Sequence, residues 1–403
     1  MTGTPLADGL ILRQAQPTDL DQIGALLVER GEPDDALDHR LVVEDPDAGW
    51  ASCAVVIDGD RVVSTATLLD EQVRIGELVL PSGQVELVAT DRAYEGRGLV
   101  RALMGWAHGR SAERGHVIQL MIGIPYFYRL FGYEYAVDIQ QARSVARPAE
   151  PASQPLRAAV PEDLPALAAL QDSVQARVDL AMPHSAACWR WLLQHDASSL
   201  HLVERDGVVA AAGRVRRDDE ELLLAEAAAV DAAAAVDLLG GVGDLAPDRG
   251  LRVVHRPGTV TGAAWADLID DEPRPQAEQY YVRIPQPAAL LDRLRPLFWE
   301  RLTKAGVDRV GRDIVISTFG AHYRIPVRAD GLDQVVAGGP MQGPGAARGI
   351  GVAPDQLPAL LFGQLGIDGL TRIRPDVYAT DQELFRALFP PLTADVLSYY
   401  LPF

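Results

Sequence analysis

The sequence predicts an α+β protein built from three units. An internal repeat is the first observation: Leu12-Arg13-Gln14-Ala15-Gln16-Pro17-Thr18-Asp19-Leu20 returns as Leu156-Arg157-Ala158-Ala159-Val160-Pro161-Glu162-Asp163-Leu164. Strand-like and helix-like periodicities alternating along the chain are the second. The third is a pair of proline-rich joints at 146–155 and 271–275. They divide the 403 residues into units 1–147, 148–285 and 286–403, each large enough for its own core.

Each repeat copy reads as a strand, a Pro-x-Asp helix start and an amphipathic helix, with proline and acid where the helix N-terminus favours them. The acidic run 29–47 follows the first helix, either as a solvated loop or as a border of a cleft that selects amines. Asp58-Gly59 and Asp206-Gly207, between apolar runs, predict hairpins in the two copies. Val85, Leu87 and Ala89 alternate with Glu86, Val88 and Thr90 as in a strand. Asp91-Arg92-Ala93-Tyr94 turns the chain, and Gly96 and Gly98 precede a helix carrying Leu99, Val100, Leu103, Met104 and Ala107. Gly115 stops that helix, 116–124 reads as a strand, and the aromatic run Tyr126-Phe127-Tyr128-Arg129-Leu130-Phe131-Gly132-Tyr133 follows. In the second unit Trp189 and Trp191 read as core. Residues 225–239 are alanine-rich, Gly240-Gly241 falls after a helix, and a strand over 280–284 finishes the unit. The third unit begins with an amphipathic helix from Pro287, bearing Leu290, Leu291, Leu294, Leu297 and Phe298. It continues through strands at 314–317 and 323–327, and Thr380-Asp381-Gln382-Glu383 forms a capping box before Leu384 and Leu388.

Composition narrows the class. Hydrophobic residues make up 48% and charged residues 23%, as in soluble globular proteins. No apolar run reaches membrane-spanning length, and the N-terminal residues do not read as a signal peptide. Cys53 and Cys188 are the only cysteines and read as buried thiols of a reducing, cytoplasmic protein. The histidines show no metal-ligand spacing, so no metal is expected. A formal charge of −19 disfavours nucleic acid and anionic membranes as partners. It serves solubility or attracts a cationic substrate.

The stretch 82–133 carries the chemistry. A strand followed by a glycine corner and a helix offers backbone N–H groups at the positive helix end, with Arg97 and Arg101 adding charge. These residues resemble motifs A and B of the Gcn5-related N-acetyltransferase (GNAT) superfamily. Arg97-Gly98-Leu99-Val100-Arg101 and Tyr128-Arg129-Leu130-Phe131-Gly132-Tyr133 resemble elements of its Eis (enhanced intracellular survival) branch. The resemblance implies two fused GNAT-like mixed-sheet domains, the second degenerate, then a sterol-carrier-protein-like α+β domain. It implies acetyl-CoA as co-substrate and a homo-oligomer, trimer or hexamer. It implies that Val88, Ala89 and Thr90 run beside the pantetheine and that Gly96, Arg97, Gly98, Leu99, Val100 and Arg101 hold the pyrophosphate. Gly123 and Ile124 border the thioester. The resemblance further implies that Tyr128 acts as general acid, and the terminal carboxylate, that of Phe403, as general base toward an aminoglycoside or polyamine-like amine.

Physical chemistry bears on these roles. An α-carboxylate has a pKa near about 3.5 and needs burial to become a base toward an ammonium. The apolar tail Leu397-Ser398-Tyr399-Tyr400-Leu401-Pro402-Phe403 offers such burial, or closes a hydrophobic core. Tyr128 is a proton donor or a core tyrosine, and Tyr126 replaces it if the register shifts. Glu95 departs from the family pattern, because a carboxylate beside a pyrophosphate is unfavourable unless it points away or pairs with Arg92 or Arg97. Two other functions stay open: an acyl-CoA sensor without turnover, and a lipid carrier working through the last unit.

Overall fold

A computed structural model describes residues 3–147, 152–217, 220–270, 278–308 and 310–396. The first joint lies partly outside the described residues, and the second joint and Phe403 lie wholly outside them. The fold is mixed α/β, arranged on three sheets.

In chain order the first third supplies β1 (Thr4–Pro5), β2 (Ile11–Gln14), α1 (Leu20–Arg30), α2 (Asp35–Val43), β3 (Cys53–Asp58), β4 (Arg61–Ile75), β5 (Leu78–Thr90), α3 (Leu99–Glu113), β6 (Ile118–Met121), β7 (Glu134–Asp138) and β8 (Ala142–Ser144). The middle supplies β9 (Leu156–Ala158), α4 (Leu164–Gln175), β10 (Leu180–Met182), α5 (Ala186–Gln194), β11 (Ser198–Arg205), β12 (Val208–Arg217), β13 (Glu221–Ala229), α6 (Ala232–Asp244), β14 (Gly250–Val254) and β15 (Gln279–Arg283). The last part supplies β16 (Asp313–Ser317), β17 (His322–Pro326), β18 (Val336–Gly338), β19 (Ile350–Val352), β20 (Val377–Ala379) and β21 (Ala394–Val396), with helices between them. No helix among the described residues is long and apolar enough to cross a membrane.

The repeat extends to side-chain chemistry. Arg13 grips both oxygens of Asp19 at 2.6 and 2.8 Å, and Arg157 grips Asp163 at 2.7 and 2.8 Å. Each aspartate also accepts an N–H at the helix entry, from Gln16 or Val160, at 2.8 Å. Both Asp-Gly sites form hairpins, β3–β4 and β11–β12. Each copy also carries a bulge at an equivalent place. Leu87 in β5 (φ 51) and Glu226 in β13 (φ 54) take a left-handed backbone where the ladder to the preceding strand shifts register.

Strand assignment to sheets departs from the sequence reading. Residues 280–284 were expected to finish the second unit, yet β15 inserts between β6 and β7 of the first sheet. In exchange β8 pairs with β14 at the edge of the second sheet. Both segments have strand patterning, and alternation does not encode which sheet a strand joins. Two smaller corrections follow. The run 29–47 is not a loop, because it contains the end of α1 and all of α2. Gly240 and Gly241 lie inside α6, where Gly241 lets Leu156 pack against the helix backbone.

The core is continuous between the first and third sheets. Leu80, Ile118, Leu120 and Val137 share one cluster with Leu290, Phe298, Ile314 and Ile325. Burying a side chain such as Phe298, 1% exposed, contributes about 2–3 kcal/mol. This packing fixes the frame on which β5, β6 and α3 meet.

Candidate active site

β5 and β6 run parallel only from Ser82↔Ile118 to Gln84↔Leu120. Beyond that the strands part, because β5 continues to Thr90 while β6 ends at Met121. The bulge at Leu87 bends β5 within this wedge. The result is a strand edge at 86–90 with no β6 partner beside it. β5 then passes through the Asp91 turn, where Asp91 accepts from Ala93 N at 2.8 Å, into the glycine corner. Gly96 (φ 74) and Gly98 (φ 77) are left-handed, and open space surrounds the position of a Cβ on either. Gly98 is the N-cap of α3 and brings no side chain over it. The N–H groups of Leu99, Val100 and Arg101 therefore have no helical carbonyl to bond, and the positive helix end is open to an anion.

A cavity of about 490 Å³ lies along this corner. Its lining brings together Val88, Ala89, Thr90, Gly96, Gly98, Leu99, Val100, Arg101, Ile124 and Tyr128. Arg97 is not in the wall; its guanidinium stacks on Tyr94, 4.7 Å from the ring centroid. Gly123 acts from behind. A Cβ there would stand 2.5 Å from Cε2 of Tyr128, so only glycine lets the tyrosine ring lie where it does. Arg101 lies over the Phe131 ring at 5.7 Å, and Phe127 and Leu130 complete an apolar side.

Tyr128 sits on the short 3-10 turn Phe127–Phe131. It is 6% exposed, and its hydroxyl has no hydrogen-bond partner among the described residues. Burial, with the charge of Glu86, pushes the phenol up to about 12, so it holds its proton at neutral pH. The residue before this turn, Tyr126, has φ 69. That conformation costs a bulky L residue about 1–3 kcal/mol.

Glu95 does not pair with Arg92 or Arg97. It reaches Arg30 at the end of α1, 2.5 Å away, and both residues line the cavity. Its negative charge is thus largely met, at the cost of occupying a cation that would otherwise face the cavity. Replacing Glu95 by glutamine is expected to free Arg30 and tighten acetyl-CoA binding about three- to tenfold, less at high salt. Calorimetry on the two proteins checks this.

Sequence reasoning missed the carboxylates at the foot of the wedge. Glu86 accepts from Gln84 Nε2 at 2.6 Å and from the Ile122 backbone. Burial pushes its carboxyl up to about 8, with Asp35 and Asp38 adding to the shift against the Gln84 bond. Glu71, one strand over, is buried, and one of its oxygens has no hydrogen-bond partner among the described residues. Burial, then Asp70 and Glu86, raise it well above the ordinary carboxylate range. Asp38 on α2 is also raised by burial, against its 2.6 Å contact with His195, just past the end of α5. Position in the acidic run was the available signal for Asp35 and Asp38. For Glu86 it was polarity on a strand face otherwise filled by Gln84 and Val88.

The second copy cannot present the same site. Backbone carbonyls at its bulge are already taken. Gln171 donates to Glu226 O, while Arg256 and Thr261 donate to Ala227 O at 2.6 and 3.2 Å. Its helix entry is closed as well, because Asp231 caps α6 through Ala234 N at 2.8 Å and pairs with Arg205 at 2.7 Å. An anion arriving there meets a carboxylate. Trp189 and Trp191 are buried as expected, and Arg190 between them binds Asp45 and Asp47 of the first third at 2.7 and 2.6 Å. Cys53 and Cys188 are free and buried. Among the described residues no group of three or more His, Cys, Asp or Glu is placed to hold a metal ion.

Comparison with known proteins agrees with this geometry. Residues 12–136 match the acetyltransferase (GNAT) domain family. No curated protein matches the chain by sequence. A GCN5-related N-acetyltransferase from Anabaena variabilis superposes with a TM-score of 0.70 at 14% identity, covering 96% of this chain and 99% of that one. Eis1 from Mycobacterium abscessus gives 0.63 at 17% identity, over 96% and 99%. N-myristoyltransferase from Saccharomyces cerevisiae with bound myristoylCoA gives 0.52 at 11% identity, over 70% and 84%. The splayed strands, the bulge and the uncapped glycine corner thus all lie within the residues, 12–136, that match the acetyltransferase (GNAT) domain family.

Proposed function

We propose that the chain transfers the acetyl group of acetyl-CoA to a cationic amine. One observation carries the reading: the open edge of β5, the uncapped N-terminus of α3 and a Tyr128 hydroxyl without a partner among the described residues meet in one cavity. The pyrophosphate lies on the N–H groups of 96–101, and the pantetheine lies along Val88, Ala89 and Thr90. The thioester stands near Gly123, Ile124 and Tyr128. The amine nitrogen attacks the thioester carbonyl carbon, the C–N bond forms and the C–S bond breaks. A carboxylate takes the ammonium proton, and Tyr128 gives its proton to the departing sulfur. Holding both reactants in register supplies much of the rate.

Two carboxylates compete for the role of base. The resemblance gives it to Phe403. β21 runs parallel to β10, which is antiparallel to β4. β21, the last described strand, thus runs in the direction that leads along β4 toward Glu71 and Thr67, the cross-strand partner of Glu86. Glu86 is the second candidate, because a carboxyl near 8 is poised for proton abstraction. If Glu86 is the base, kcat/KM rises with pH up to about 8 as the carboxylate forms, and Glu86→Gln abolishes that limb. If the terminal carboxylate is the base, the limb survives in Glu86→Gln and turnover is lost on removing Phe403.

Asp35 and Asp38 lie close enough to Glu86 to act on its carboxyl, and this acidic neighbourhood supports a cationic acceptor, of aminoglycoside or polyamine type. Residues 286–403 are read as a sterol-carrier-like unit that delivers the C-terminal segment. A cytoplasmic trimer or hexamer without nucleic-acid or membrane partners completes the proposal. Acyl-CoA sensing without turnover is the second reading, favoured by the Glu95 carboxylate in the cavity wall. Thiol release from acetyl-CoA, screened over an amine library, separates them: amine-dependent release is expected, and binding without release would leave the sensor.

A further inference from the structure

Two phenols from distant parts of the chain close on a single backbone N–H. Tyr126 N donates to Tyr281 Oη at 2.6 Å and to Tyr135 Oη at 2.9 Å. The Tyr281 hydroxyl in turn reaches Tyr135 Oη at 2.6 Å and Ile124 O at 3.3 Å. The two rings stack with centroids 4.2 Å apart. The Tyr281 ring also meets the Tyr128 ring edge to face at 6.1 Å. What they hold is the turn 124–128, whose central residue Tyr126 has φ 69. A bulky residue keeps that conformation only where its surroundings impose it.

Tyr281 stands on β15, which reaches the first sheet after the whole second copy has been traversed. Pairing of β15 with β6 and β7 uses backbone groups; phenylalanine would pack and pair equally well. The hydroxyls answer to a different demand, the Tyr126 N–H and the Ile124 carbonyl. Tyr128 follows two residues later, its ring against Gly123 on one side and Tyr281 on the other.

We propose that Tyr281, assisted by Tyr135, is a positioning residue for acyl transfer: its hydroxyl locks the 124–126 turn so that the Tyr128 hydroxyl points at the leaving sulfur. The inference rests on the reading of Tyr128 as proton donor. It also gives the strand exchange a purpose, since the exchanged strand builds the seat of the general acid.

Kinetics on the full chain test this, with acetyl-CoA as donor and spermine and kanamycin as acceptors. Tyr281→Phe is expected to lower kcat about 10- to 100-fold, with KM for acetyl-CoA changed less than about threefold. The double variant Y128F/Y281F is expected to be no slower than Y128F alone, because Tyr281 acts through Tyr128. A merely structural tyrosine would instead lower the double variant further. If Y281F fails to fold, Y135F carries the same expectations. The inference is overturned if these variants keep kcat within about threefold of the parent while Y128F has lost turnover. It is equally overturned if the losses of Y128F and Y281F multiply. Turnover retained by Y128F, or no thiol release by the parent chain with either amine, defeats the donor reading itself and takes this inference with it.

Discussion

Replacing Tyr128 by phenylalanine is expected to lower kcat for thiol release about 100-fold, equivalent to about 2.7 kcal/mol of transition-state stabilisation. Acetyl-CoA affinity should change little. The ring that touches Gly123 and Tyr281 is retained, and only the hydroxyl is lost. That hydroxyl is free of partners among the described residues and raised to about 12 by burial and Glu86. A neutral phenol suits a developing thiolate, and no neighbour among the described residues accepts its proton in a hydrogen bond. Steady-state kinetics beside calorimetric binding separates the two quantities. Equal losses in affinity and rate would mean that Tyr128 only shapes the cavity.

The second large effect is on stability. Arg256 and Asp395 form a buried, two-pronged ion pair, 2.6 Å between Nη2 and Oδ2 and 2.9 Å between Nε and Oδ1, each residue 1% exposed. Arg256 also donates to Gln171 Oε1 and Ala227 O. Asp395 accepts from Gln140 and Gln175. Burial opposes the charge on Asp395, but the Arg256 guanidinium and the two amides hold its carboxyl below the ordinary range. The cluster ties β21, the last described strand, to α4 and to the loop after β14. Arg256→Met leaves a buried carboxylate unpaired and is expected to cost about 3–5 kcal/mol. The first thermal transition should fall by about 5–15 °C. Arg256→Met with Asp395→Leu should recover most of it, since an apolar pair replaces the ionic one without stranding a charge. If the double variant is as unstable as the single, packing and not charge governs the site.

What the sequence disclosed depended on the range of the interaction. Gly96 and Gly98 were legible because a left-handed corner before a helix demands glycine locally. The repeat was legible because Pro-x-Asp and Asp-Gly signals act within a few residues, and the Arg13–Asp19 pair shows why the spacing recurs. Long-range pairings left no local trace. Glu95 meets Arg30, Asp38 meets His195, and β15 enters the first sheet instead of the second. The second copy's loss of a phosphate corner was readable from its alanines. Its active closure by Asp231, Gln171 and Arg256 was not, because those donors and acceptors converge only in the folded chain. Glu86 was hidden for another reason: a single acid in a strand looks solvent-facing until residues distant in the sequence, among them Asp35 and Asp38, pack near it in the folded chain.

The central claim is that the glycine corner at 96–101 grips coenzyme A. Gly98 takes φ 77, and a side chain there would project into the open space of the cavity. Titration of acetyl-CoA into the native chain and into Gly98→Val is the most direct measurement. One site per chain is predicted for the native protein, with affinity at least about 100-fold weaker in the variant. Equal binding by both proteins, or none by the native chain, would contradict it.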